Sequence, residues 1–146
     1  DHFFKFLYNR SRVTFNSFYK ANKIENQQIL LNPESDTVTY WNSIKQSGDI
    51  RDDIYLSLKH LSPLLAESDL KGDIEIRLSN NILNQGMIFS NPNTYNASLL
   101  LDFYCYKMVK SDRPFLKLDR KYNENWYILF RNQFDILWNE SQPYKG

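Results

Sequence analysis

The segment from Asp73 to Ser79 alternates strictly, with Ile74, Ile76 and Leu78 on one side and Glu75 and Arg77 on the other. A two-residue period is the geometry of a strand with one covered face, because a helix would turn Ile76 away from the side shared by Ile74 and Leu78. This short stretch divides the chain. Before Gly72 apolar residues recur at three and four; after it, short apolar runs are punctuated by Asn, Pro and Gly, the residues of turns.

In the first part, Phe4, Tyr8, Val13, Phe15, Phe18 and Tyr19 form a stripe free of Pro and Gly, which predicts one helix from Phe3 to Ala21. Asn32-Pro33 interrupts it, and Ser35 or Asp36 can cap the next element. Val38, Tyr40 and Trp41 suit either helix or strand before Ser47-Gly48 interrupts again. Ile54, Leu58, Leu61 and Leu65 share one helical face, with Asp52-Asp53 placed where negative charge offsets the helix dipole. Ser62-Pro63 predicts a break, since proline has no N–H to donate to the preceding turn.

In the second part, Asn80, Asn81 and Asn84 mark a turn, Gly86–Ser90 a second strand, and Asn91–Asn93 another turn. Ala97–Val109 reads as a long third strand and Pro114–Leu118 as a fourth. Asn123 or Asn125 then caps a helix whose Tyr127, Phe130, Phe134 and Leu137 should lie on the sheet. Trp126, Leu129 and Trp138 widen that stripe, so the helix is expected to be buried over much of its circumference. The resulting fold class is α+β: N-terminal helices, an antiparallel sheet of about four strands carrying its helices on one face, and a C-terminal helix packed on the sheet. One domain over 1–146 is expected, helical to about residue 70 and sheet plus helix over about 72–141. Because it starts at Asp1, the chain is expected to be a fragment of a larger protein.

Composition narrows the chemistry. Eighteen Lys and Arg against 17 Asp and Glu give a net charge of +1, which argues against a surface built wholly for polyanions. No apolar run is long enough for a membrane span. The one cysteine, Cys105, suits a reducing, cytoplasmic setting and excludes an internal disulfide. His2 and His60 are the only histidines, and His60 belongs to a Leu-rich helix face. The glycosylation-type triplets at Asn9, Asn96 and Asn139 are discounted in a chain so rich in Asn. There is no G-x-S-x-G, H-E-x-x-H, P-loop, G-x-G-x-x-G or paired C-x-x-C, so neither a cofactor nor a metal is expected and the reading leans away from an enzyme.

Asp102 interrupts an apolar strand and would be costly if buried alone; Arg77 across the sheet is one partner it could take, and an edge facing water is the alternative. Ser79, Asn80 and Asn81 follow the clearest strand, where loops commonly bind ligands, although Asn also simply makes turns. The candidate ligand residues are therefore Arg77, Asn80, Asn81, Asp102, Tyr104 and Arg113, with arginine gripping an anion. A basic strip, Lys107, Lys110, Lys117, Arg120 and Lys121 around Arg113, interleaves with Tyr104, Tyr106, Phe115 and Tyr122. Cations with stacking rings suit single-stranded nucleic acid; the ordinary alternative is a hairpin edge charged against strand pairing.

The order GDIEIRLS, short strand, long strand, RPFLKL and a helix ending FDILW resembles the C-terminal part of phospholipase-D-like modules, particularly non-catalytic versions attached to bacterial regulators and defence proteins. The likeness spans about residues 72–141 and rests on Pro114-Phe115, Phe130, Phe134, Asp135, Leu137 and Trp138. Catalytic members carry His-x-Lys-x4-Asp, which neither His2 nor His60 matches, so the resemblance implies a sensing or docking module without phosphodiester cleavage. The leading expectation is a non-enzymatic regulatory or ligand-sensing domain of a bacterial protein, binding a nucleotide-like anion or other domains of its parent. Nucleic-acid binding through the basic strip, or homo-oligomerisation through the Phe-rich first helix, are the alternatives.

Overall fold

The computed structural model describes residues 12–20, 23–45, 48–66, 72–109 and 112–146. Its elements run β1 (Arg12–Lys20), β2 (Lys23–Leu31), α1 (Asp36–Ile44), α2 (Ile50–Ala66), β3 (Gly72–Ser79), β4 (Gln85–Ser90), β5 (Ser98–Phe103), β6 (Phe115–Asp119), α3 (Glu124–Glu140) and β7 (Gln142–Tyr144). The protein is α+β, with the C-terminal helix on the sheet. All four strands expected after Gly72 form, as does the terminal helix, with Asn123 at its N-cap position.

The helix expected over Phe3–Ala21 is not what forms: residues 12–20 are strand β1, while 3–11 and 21 lie outside the described residues. Val13, Thr14, Phe15, Phe18 and Tyr19 are β-branched or aromatic residues that prefer extended backbone, and their spacing only coincidentally resembled a helical stripe. Two ladders reward the extended form, with Val13 opposite Ile29 in antiparallel β2 and opposite Met87 in parallel β4. The β1–β2 pair is thereby inserted between β3 and β4, and the order is β6-β5-β4-β1-β2-β3-β7. The sheet is consequently mixed, not antiparallel: β1 runs parallel to β4 and β2 parallel to β3.

Register and alternation assign the faces. Met87 and Phe89 of β4 lie opposite Leu101 and Leu99 of β5, and all four are buried. This face receives α3, whose Tyr127 and Phe134 meet Phe89 edge-to-face at 5.7 and 5.8 Å. Ile76 and its register partner Tyr144 belong to the other face, where Tyr144 Oη lies 3.4 Å from Ser62 Oγ of α2, and α1 packs beside α2. Helices therefore cover both faces, not one. Two separate apolar faces on one sheet need cover from both sides, and each large side chain buried contributes roughly 1.5–3 kcal/mol.

Further differences are local. Helix α2 runs unbroken through Pro63 to Ala66, so the missing N–H costs one bond to the preceding turn without ending the helix. Strand β5 stops at Phe103, not Val109, because the chain leaves the ladder and turns at Lys107, whose φ of 49° lies in the left-handed region. Helix α3 buries Tyr127, Phe134 and Trp138 but leaves Trp126 60% and Leu129 48% exposed, so its rings are only partly core. Among the described residues no helix is long and apolar enough to cross a membrane.

Candidate functional site

The early end of β5 creates a cleft lined by Tyr104, Cys105 and Arg113. Phe103 N donates to Pro114 O and Tyr104 N to Asn84 O, each at 3.1 Å, which pins the segment leaving the strand. The chain then turns outward through Tyr106 and Lys107 and returns at Arg113. Helix α1 lays Trp41 against Tyr104, with the rings edge-to-face at 6.0 Å. The α1–α2 junction is fastened by Asn42, which donates to Asp49 Oδ1 at 2.7 Å and accepts from Ile50 N at 2.8 Å. That side-chain bond, helped by Arg51 N, holds the Asp49 carboxyl below the usual range. The junction so fixed presents Ile44, Lys45 and Ile50 to the cleft, beside Leu31 from the end of β2.

The cleft encloses about 450 Å³ open to solvent at its mouth, and within it the centre of a water molecule has about 30 Å³ in which to move. The depth thus admits a small head group, while anything larger must project outward.

Its chemistry centres on Arg113, whose side chain is 9% exposed. The guanidinium carbon lies 4.7 Å from the centre of the Tyr104 ring, and Nη1 is 3.6 Å from Asp102 Oδ2, an ion pair too long for a hydrogen bond. Among the described residues Nε and Nη1 of Arg113 and Nε1 of Trp41 are buried without hydrogen-bond partners. Each such donor costs on the order of 1–3 kcal/mol, more when charged. Lys45, also 9% exposed, pairs with Asp53 Oδ2 at 3.4 Å. Lys107 stands at the mouth, exposed, with Nζ 5.4 Å from the Tyr106 ring. Cys105 lines the wall as a free thiol.

Of the six candidate ligand residues, Asp102, Tyr104 and Arg113 are brought together here. Asp102 pairs with Arg113, not with Arg77, because Asp102 stands opposite Phe115 in β6, close to Arg113 in sequence, whereas Arg77 belongs to β3 at the far side of the sheet. Arg77 bonds Glu75 at 2.8 Å and the Trp138 carbonyl at 2.9 Å, and its guanidinium carbon lies 4.3 Å from the Trp138 ring centre. It fastens the end of α3 to the sheet. Asn80 accepts from Asn32 Nδ2 and Thr37 Oγ1, and Asn81 donates to Glu140 at 2.8 Å. Asn80 borders a second, more open hollow of about 550 Å³ with Asn32, Glu34 and Asp36; Tyr55 Oη donates to Glu34, and that bond raises the phenol's pKa.

The described members of the basic strip beyond the cleft are engaged by local partners. Lys117 faces Asp119 at 3.3 Å, Arg120 faces Glu124 at 3.6 Å and donates to Thr94 O, Lys121 lies 4.5 Å from the Tyr122 ring centre, and Lys110 is outside the described residues. Trp41 and Lys45 were not among the candidates; they come from a segment about sixty residues away in sequence, and no local spacing tied them to Tyr104. Comparisons with protein-family models, curated proteins and solved structures find no match to this chain.

Proposed function

We propose that this chain is a non-enzymatic, ligand-sensing regulatory domain that takes a small anion into the cleft between Trp41, Tyr104 and Arg113. One observation carries the reading: an arginine held nine-tenths buried on an aromatic ring with two of its donors unmet. Such a group is expensive to keep unless a ligand completes it. The nucleotide-like anion expected from the sequence belongs to this ligand class. A sensing module without cleavage chemistry also accords with the phospholipase-D-like resemblance, and a free thiol in the cleft wall accords with a cytoplasmic setting.

The test is a thermal-shift screen of small mono- and dianions. A bound anion at a hundred times its Kd stabilises by about 2.7 kcal/mol, which moves the melting temperature by several degrees. The shift disappears in Arg113→Met if the cleft is the site; a screen without any shift defeats the reading.

A second reading, self-association, is favoured by the outer side of α3, where Trp126, Leu129 and Ile136 are exposed on one helix. It predicts a concentration-dependent mass in light scattering. A strict monomer at high concentration removes it.

A further inference from the structure

We infer that the cleft is built for a monoanionic carboxylate with an aromatic or branched apolar tail, in preference to a phosphate or nucleotide. The inference rests on the anion-binding reading above and narrows it.

Charge decides against a dianion. The two cations at the inner wall are each matched by a carboxylate: Arg113 by Asp102 at 3.6 Å and Lys45 by Asp53 at 3.4 Å. These four groups sum to zero, and Lys107 at the mouth, though exposed to screening, brings the cleft to +1, enough to offset one negative charge. A phosphate monoester brings close to two negative charges at neutral pH and would meet Asp102 without a cation left to offset the second. A carboxylate brings one.

Donor demand points the same way. The unmet groups are Arg113 Nε and Nη1 and Trp41 Nε1, all donors, on two side chains that both contact the Tyr104 ring. An ionised carboxylate is acceptor-only with about four lone-pair sites, enough for three donors, whereas an ammonium ligand would answer none of them. The room at depth matches a head group of that size. Leu31, Ile44, Ile50 and Met108 supply the apolar wall along which a tail would leave toward solvent.

The experiment compares phenylacetate, its uncharged isostere phenylacetamide, inorganic phosphate and AMP by calorimetry on the same chain, with alkylation of Cys105 as a local reporter. Phenylacetate is expected to bind at least about tenfold more tightly than each of the other three. It is also expected to slow alkylation of Cys105, which lines the cleft. Asp102→Asn, which keeps shape and removes one negative charge, should raise phosphate affinity several-fold and narrow that preference. Phosphate or AMP binding as tightly as phenylacetate overturns the carboxylate assignment while leaving an anion site. Phenylacetamide binding equally overturns it too, since charge would then not be read. Absence of binding by all four, with Cys105 unprotected, overturns both this inference and the anion-sensing function.

Discussion

Replacing Tyr127 by Phe separates packing from polarity at the point where α3 meets the sheet. The ring is 2% exposed and meets Phe89 edge-to-face at 5.7 Å, a contact the substitution keeps. What it removes is the hydroxyl, which donates to the Pro92 carbonyl at 2.9 Å and fastens the start of the helix to the β4–β5 turn. Loss of that bond costs about 1 kcal/mol at neutral pH. Burial also pushes the phenol up from 10.0 to about 12, against the smaller downward pull of Arg131 and Arg120. Between those values the unfolded chain releases the Tyr127 proton while the folded chain keeps it, so ionisation favours the unfolded state and stability falls as pH rises. At about pH 11 the wild type should have lost roughly 1.4 kcal/mol through this group alone, and Tyr127→Phe nothing. Urea midpoints taken from about pH 7 to 11 therefore test the linkage. The wild type should lead by about 1 kcal/mol at neutral pH and lose that lead near pH 11. A lead that stays constant across the range would refute the assignment of a buried, hydrogen-bonded phenol.

Arg113→Met should abolish the anion-dependent rise in melting temperature, and because the gain from removing unmet buried donors is offset by taking the ion-pair partner from Asp102, the unliganded protein should change by no more than about 1 kcal/mol in urea unfolding. Arg77→Met should do the opposite, costing about 1.5–3 kcal/mol in urea unfolding through loss of its bond to Trp138 O and its contact with that ring, with ligand shifts unchanged. Phe134→Ala, which empties a site 1% exposed between Phe89 and Trp138, should cost about 3–5 kcal/mol by the same measurement. Leu129→Glu should leave the urea midpoint within about 0.5 kcal/mol, since the residue is 48% exposed, and should abolish any concentration-dependent mass in light scattering.

What the sequence determined by itself was periodic and local. The alternation of Ile74, Ile76 and Leu78 specified β3, the spacing of Ile54, Leu58 and Leu61 specified α2, and Tyr127 and Phe134 marked the buried side of α3. In each, one face is covered and the pattern of apolar residues records it. Strands β1 and β2 left no such record, since Asn16, Asn26, Gln27 and Gln28 break the apolar pattern, and only ladders on both sides make them strands. The cleft was half legible: Asp102 stood out as a charge in an apolar run, and Tyr104 and Arg113 stand close to it in the chain. That Trp41 and Lys45 complete it was decided by tertiary structure alone. Inserting β1 and β2 between β3 and β4, and folding α1 back beside the end of β5, brings together side chains that no repeat of two or 3.6 residues could connect.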